Sequence, residues 1–404
     1  MVNRRPSRRD ALRSGAVLAA IALLDGCSSG GGDDAQPSPS AAASSAVPTA
    51  SPSAATGGVM PAESTPHTRT FMAWPALDQV WGEDLPGVRK DIAGLARAIS
   101  AFEPVVLLAR PDQAADARQQ VGSGVEVLEL AVDDLWARDT GPAFVFAPGG
   151  LTGVDLGFNG WGNKQTHAAD GQVARNLLTH YGIPRIQAPI TGEGGALEVD
   201  GDGTLMATES AWVNANRNPG KSRDQIEASL KELFGVRKVI WLKGVAGQDI
   251  TDCHVDALAR FADPGTVVLH RPGPDTPPDV WSTASDQALQ VLSAATDAKG
   301  RPLKVVELTE PVVEGKGKDF LATYLNYYVC NGGVIVPRFG DQAADDRAAG
   351  TIGDLHPGRK VTQVSIDHIA AGGGGIHCAT QQQPAVGPGA SPTASPSPST
   401  DEAA

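Results

Sequence analysis

The chain has 404 residues, of which 41% are hydrophobic and 20% charged, with 46 acidic against 33 basic side chains for a formal net charge of -13. The hydrophobic share sustains a globular core, the charged fraction is too low for a coiled coil, and 4 Cys are too few for a disulfide scaffold. An acidic chain without a Lys/Arg block in its body excludes a phosphate-binding, nucleic-acid partner and fits a small cationic one better.

In chain order, Arg4, Arg5, Arg8, Arg9 and Arg13 precede an apolar run at 15–24. That run is about ten residues long, too short to span a bilayer, and basic residues followed by a short apolar run read as an export signal. Residues 7–13 resemble the twin-arginine type. Leu24-Asp25-Gly26-Cys27 resembles a lipobox, which makes Cys27 the expected lipidation site. Residues 28–59 and 385–404 are Ser/Ala/Pro/Gly-rich and cannot offset chain entropy by burial, so they read as a tether and a tail without fixed structure. The expected organisation is an export signal at 1–27, a tether at 28–59, one folded domain at 60–384 and a tail at 385–404. Such a protein is exported, either anchored through Cys27 at the outer face of the cytoplasmic membrane or secreted.

Within 60–384 a hairpin, an amphipathic helix and a short apolar strand recur. A first unit is split: residues 87–101 read as a helix with Val88, Ile92, Leu95 and Ile99 on one face, residues 105–109 as its strand, and its hairpin forms only if 69–74 pair with 375–382. Next, a hairpin turning at 147–150 leads to a helix near 170–181 and a strand near 185–190. Another turns at 200–203 and leads to a helix at 222–235, opened by Ser222 and Gln225 at capping-box spacing, and a strand at 236–242. A third turns at 263–265, with a helix near 281–295 and a strand at 303–308. The last turns at 331–333, with a helix near 343–354 and a strand at 360–366. The expected fold is α/β, a single domain of five repeated ββαβ units forming a pseudo-symmetric five-bladed propeller with its site on the axis.

Polar residues fall near the start of the hairpin strands: Asp134 to Asp139, Glu193, His254 with Asp256, Asn326, and Cys378 after Gly372 to Gly375. In isolation His254 reads as a satisfied structural histidine and Cys378 as a small buried hydrophobe; the repeat context brings them together instead. At spacing two on a strand, His254 and Asp256 are expected to leave the same face. The dipeptides Cys253-His254 and His377-Cys378 point to opposite faces of a strand, so no metal site is expected. Carboxylates raise a thiol's pKa, and the combination becomes productive when a cation arrives. A guanidinium suits paired carboxylates, and Trp136 is placed to cover its flat face.

Several segments together carry a family resemblance: residues 70–75, 134–142 (Asp134-Leu135-Trp136-Ala137-Arg138-Asp139-Thr140-Gly141-Pro142), 158–162, Glu193-Gly194-Gly195, His254-Val255-Asp256, Asn331-Gly332-Gly333 and 372–384. In this order they resemble the agmatine deiminase and bacterial peptidylarginine deiminase family. The resemblance implies a pentein-type α/β propeller that needs no cofactor. It also implies Cys378 as nucleophile, His254 as general acid and then base, Glu193 orienting His254, and Asp139 and Asp256 gripping the guanidinium, with Trp136 and Asn326 completing the substrate contacts. The small cationic guanidino substrate expected is agmatine, hydrolysed to N-carbamoylputrescine and ammonia on a route of polyamine synthesis. Peptidylarginine or free arginine, giving citrulline, is the alternative. Peptidylarginine-specific relatives usually carry an additional C-terminal sandwich domain, and the short segment after 384 favours the small substrate. A cationic-amine-binding lipoprotein without chemistry is the non-enzymatic alternative. Cys253 stands where the family usually has Gly, and Cys253 and Cys330 read as small buried residues rather than a disulfide.

Overall fold

The computed structural model describes residues 58–273, 276–317 and 319–386. The export signal with Cys27, the tether up to residue 57 and the tail from 387 lie outside the described residues. Ordered pairing starts inside the stretch expected as tether, where Val59 and Phe146 form an antiparallel bridge with N–H···O distances of 2.9 Å in both directions. At the other end Ala385 donates to the Pro66 carbonyl at 2.7 Å.

Among the described residues the strands form five separate sheets, one of four strands and four of three. The first sheet contains β1 (His67–Ala73), β2 (Val105–Ala109) and β3 (Glu126–Glu129), with helices α1 (Leu85–Ser100) and α2 (Ala114–Val121) in the connections. The next is the hairpin β4 (Ala143–Ala147) and β5 (Gly150–Asp155), helix α3 (Val173–His180) and β6 (Arg185–Gln187). Then come β7 (Leu197–Val199), β8 (Thr204–Thr208), α4 (Arg223–Phe234) and β9 (Lys238–Leu242). They are followed by β10 (Ala259–Asp263), β11 (Thr266–Arg271), α5 (Val280–Ala294) and β12 (Lys304–Thr309). The last complete unit is β13 (Tyr328–Cys330), β14 (Gly333–Arg338), α6 (Gln342–Leu355) and β15 (Lys360–Ser365). In each of these four units the first two strands are antiparallel and the third runs parallel to the second. A tight turn suffices for an antiparallel pair, whereas the parallel return needs a crossover, which the helix supplies.

The split unit is completed by β16 (Gln381–Pro384), antiparallel to β1 with Phe71 opposite Gln381 and Thr70 opposite Gln382, while β2 runs parallel to β1. Both ends of the described chain thus share one sheet. Residues 375–380, expected to pair as well, form turns: the Cys378 N–H donates to the Asn326 side chain rather than to a strand. Helix α2 and strand β3 were not expected. The buried face of α2 is only Ala114, Ala117 and Val121, and β3 is four residues long, so neither leaves a strong periodic signal.

Local chemistry explains the boundaries. Ser222 and Gln225 form the expected capping box on α4, and Gly235 ends it at φ 64, a left-handed conformation that a Cβ disfavours. Strand β2 is buried at every residue. Val105, Leu107 and Ala109 pack with the Val88, Ile92, Leu95 and Ile99 face of α1, while Val106 and Leu108 pack with Phe71 and Phe144 on the opposite side. A strand covered on both faces reads as a continuous apolar run, as Val-Val-Leu-Leu-Ala does.

Candidate active site

Cys378 lies in the turn between the glycine run and β16 and is half-buried. The Asn326 amide holds it from two sides: Oδ1 accepts from the Cys378 N–H at 3.2 Å, and Nδ2 is 3.3 Å from Sγ. Asp256 Oδ2 lies within sulfur hydrogen-bond distance of Sγ, at 3.6 Å. Burial, then Asp256 and Asp139, push the Cys378 thiol well above the usual range. Left alone, it is a poor nucleophile.

His254 does not lie on a strand. It is the residue before a 3-10 turn at Val255–Ala257, so the expected same-face geometry with Asp256 gives way to a tight turn that still delivers both side chains to one place. Asp252 and Cys253, immediately before it, have φ of 60° and 67°. Non-glycine residues adopt this region at a cost, and two in succession need strong outside support. Asp252 supplies it. Its Oδ2 accepts from Lys164 Nζ at 2.6 Å, Arg217 Nη1 at 2.7 Å and Asn216 Nδ2 at 3.1 Å, and its Oδ1 from the Gly247 N–H at 2.8 Å. Cys253 and Cys330 are buried, free thiols.

The imidazole of His254 stands between two carboxylates: Nδ1 is 3.7 Å from Asp139 Oδ1 and Nε2 is 3.3 Å from Glu193 Oε2. Burial alone would push its pKa down, but Asp139, Glu193 and Asp256 outweigh it and raise it to about 9. Burial opposes ionisation of Glu193, yet Arg217 and His254 hold its carboxyl below the usual range; Arg217 Nε donates to both oxygens at 2.8 and 2.9 Å. Asp139 is raised, chiefly by burial, with Asp256 and Glu193 adding to it and His254 opposing. Its oxygens accept from Trp161 Nε1 and the Gly195 N–H, both at 3.0 Å.

Gly195 marks the point of convergence. A Cβ built there would stand 2.7 Å from His254 Nδ1, 2.9 Å from Asp139 Oδ1 and 3.1 Å from Asp256 Oδ2. Three titratable side chains therefore meet over one bare Cα, and the thiol adjoins them through Asp256. Asp256 itself is fully buried. Its Oδ2 is 2.8 Å from His377 Nδ1, whereas Oδ1 is buried with no hydrogen-bond partner. Burial opposes its charge, but His377, His254 and Arg260 hold its carboxyl below the usual range. A buried carboxylate oxygen without a donor is costly in itself and is complete only when a donor arrives.

The sequence-derived residues Cys378, His254, Glu193, Asp139, Asp256 and Asn326 are thus brought together. Asn326 is found on the thiol, where it holds the backbone and sulfur of Cys378. Trp136 is 2% exposed. Its indole packs against Gly374 and tilts on Trp81 at 6.1 Å, with Nε1 donating to Asp134 Oδ2 at 2.9 Å, so it forms a wall against the glycine run that leads to Cys378. Sequence reasoning missed Trp161, Arg217, His377 and Glu63. Arg217 sits in the loop Asn214-Ala215-Asn216-Arg217-Asn218-Pro219, whose density of Asn before Pro marks a tight turn but gives no hint of what the guanidinium meets.

A family model described as Porphyromonas-type peptidyl-arginine deiminase matches residues 59–384. The chain belongs to this family. A Streptomyces coelicolor relative is 44% identical over 338 residues, covering 80% of this chain and 98% of its own. The agmatine deiminase of Stutzerimonas stutzeri is 38% identical over 356 residues, covering 81% and 96% of the two chains. Among solved structures, the agmatine deiminase of Enterococcus faecalis aligns with a TM-score of 0.76 at 33% identity, over 81% of this chain and 96% of that one. This deiminase-family chain therefore has the α/β fold of those enzymes, and the residues described above lie inside the matched span.

Proposed function

We propose that the chain is a cysteine-dependent guanidine deiminase that hydrolyses agmatine to N-carbamoylputrescine and ammonia. The observation that carries the reading is the convergence of His254 Nδ1, Asp139 Oδ1 and Asp256 Oδ2 over Gly195, with Asp256 Oδ2 also 3.6 Å from Cys378 Sγ, in a carboxylate whose other oxygen is buried without a donor. A guanidinium supplies planar N–H donors and the positive charge that these carboxylates lack. Similarity to agmatine deiminases over nearly their whole length supports agmatine as the substrate.

In the reaction the bound cation offsets Asp139 and Asp256 and so lowers the pKa of Cys378, favouring the thiolate beside the guanidinium carbon. Sγ attacks that carbon and forms the C–S bond. His254, raised to about 9 and so protonated at neutral pH, gives its proton to the departing nitrogen as ammonia leaves. An amidino-cysteine remains. The neutral imidazole then takes a proton from water, the hydroxide adds to the same carbon, and the C–S bond breaks to return the thiolate and release the ureido product. Glu193, clamped by Arg217, keeps His254 oriented through both halves.

We infer further that the five sheets stand as blades around one axis that carries this site. The strand order repeated in every unit, the pairing of β16 with β1 and the contribution of site residues from separate units support that arrangement.

Ammonia release from agmatine, free arginine and an arginyl peptide, measured side by side, tests the function. Agmatine should give the highest kcat/KM. A higher value for arginine or the peptide would reassign the substrate, and no ammonia from any of the three would sink the enzymatic reading.

A further inference from the structure

Asp256 Oδ2 stands 3.6 Å from Cys378 Sγ and is the same oxygen that meets His377, and the structure shows what holds the carboxylate there. His377 Nδ1 is 2.8 Å from Asp256 Oδ2, and His377 Nε2 is 2.7 Å from Glu63 Oε2. The ring is 2% exposed, so both nitrogens are committed to carboxylates away from water. A carboxylate held by one imidazole nitrogen is still free to turn if the ring turns. A second anchor on the far nitrogen stops the ring, in the way that outer hydrogen bonds lock a reactive group's rotamer.

Glu63 is itself firmly placed. Oε2 lies 3.0 Å from Arg260 Nη2 and 3.3 Å from Arg138 Nη2, and Oε1 accepts from the Val329 N–H at 2.9 Å. Arg260 is paired on its other side with Glu198 at 2.8 Å. The segment that carries Glu63 is secured by other bonds as well: its carbonyl lies 2.7 Å from His67 Nε2, and the Ser64 carbonyl accepts from Arg359 Nη2 at 2.6 Å. Attachment of this segment therefore does not depend on the link to His377 alone.

We propose that Glu63 is a positioning residue of the deimination reaction: through His377 it fixes the Asp256 carboxylate beside Cys378, in the orientation that meets the substrate guanidinium. The proposal rests on the deiminase reading above. Asp256 grips the cation in the bound complex and in the transition state alike, so disturbing its orientation removes uniform binding and appears in KM rather than kcat.

The test is a double-mutant cycle on the full chain, read by steady-state ammonia release and by thermal unfolding. In His377→Asn the amide occupies only the Nδ1 position, so it keeps a partner for Asp256 and loses Glu63. Glu63→Gln should raise KM for agmatine about tenfold with kcat little changed, the scale of one charge-assisted hydrogen bond. His377→Asn should do the same, and the double variant should be no worse than His377→Asn alone, because one link has been cut twice. Glu63→Asp keeps the charge among Arg260 and Arg138 but falls a methylene short of His377. It should fold and show the same rise, which guards against a folding defect in the amide variant. An unchanged KM in both Glu63 variants, or KM effects that multiply in the double variant, would overturn the relay while leaving the deiminase reading intact. Wild-type protein inert toward all three guanidino substrates would overturn both.

Discussion

In the proposed reaction Cys378 is a nucleophile in the wrong field until its substrate is bound. Burial, Asp256 and Asp139 keep the proton on sulfur, and His254 keeps its own proton up to about 9. The sign for pH dependence follows. A raised thiol pKa means that thiolate appears only as pH climbs, and a bound guanidinium lowers that pKa by offsetting the carboxylates. The kcat/KM profile, which reports the free enzyme, should therefore have its rising limb at higher pH than the kcat profile, which reports the complex. Both are measurable by ammonia release across pH, and coincident rising limbs would contradict the substrate-assisted thiolate. The chemistry-bearing residues were legible in the sequence because each sits in a short motif at a comparable place in its unit. Their supports were not: Glu63 and His377 are 314 residues apart, and nothing in either segment names the other. The position of Asn326 on the thiol rather than among the expected substrate contacts also depends on the turn at 375–380, a stretch expected to pair with 69–74 as strand.

At the scale of elements, alternation and turn residues located the four complete hairpin–helix–strand units. The capping box at Ser222 placed the start of α4. What escaped was short or weakly apolar. Helix α2 and β3 are one case, and the 3-10 turn at His254 is another, since its left-handed approach is set by Asp252 contacts reaching as far as Lys164. The split first unit was legible because residues 67–73 have no adjacent hairpin partner in sequence, and β16 supplies it. If that unit is equivalent to the others, the natural chain ends are one choice of cut among several. A circular permutant joining residue 386 to residue 58 through a Gly/Ser linker, and opened at the exposed Lys299-Gly300 turn, should fold and turn over substrate. Failure of this permutant to fold, with the same linker tolerated in the unpermuted chain, would contradict the equivalence of the units.

For the molecule as a whole, two of the buried charge sets stand next to the residues brought together with Cys378. Arg217 joins Glu193 to Asp252 behind His254, and Arg260 joins Glu63 to Glu198 behind Asp256. Buried pairs of this kind add little net stability because desolvation offsets their attraction, and they are better read as fixing geometry on either side of the substrate space. The thiol lies beside Asp256 Oδ2, at 3.6 Å, and the other oxygen of that carboxylate has no donor. The claim that this assembly works by a covalent step at Cys378 is the most direct to test. Wild-type protein turning over agmatine, quenched rapidly in acid and examined by mass analysis of the Cys378 peptide, should show a mass increase equal to agmatine less ammonia, absent in Cys378→Ala. Ammonia release without that adduct, or turnover that survives Cys378→Ala, would contradict it.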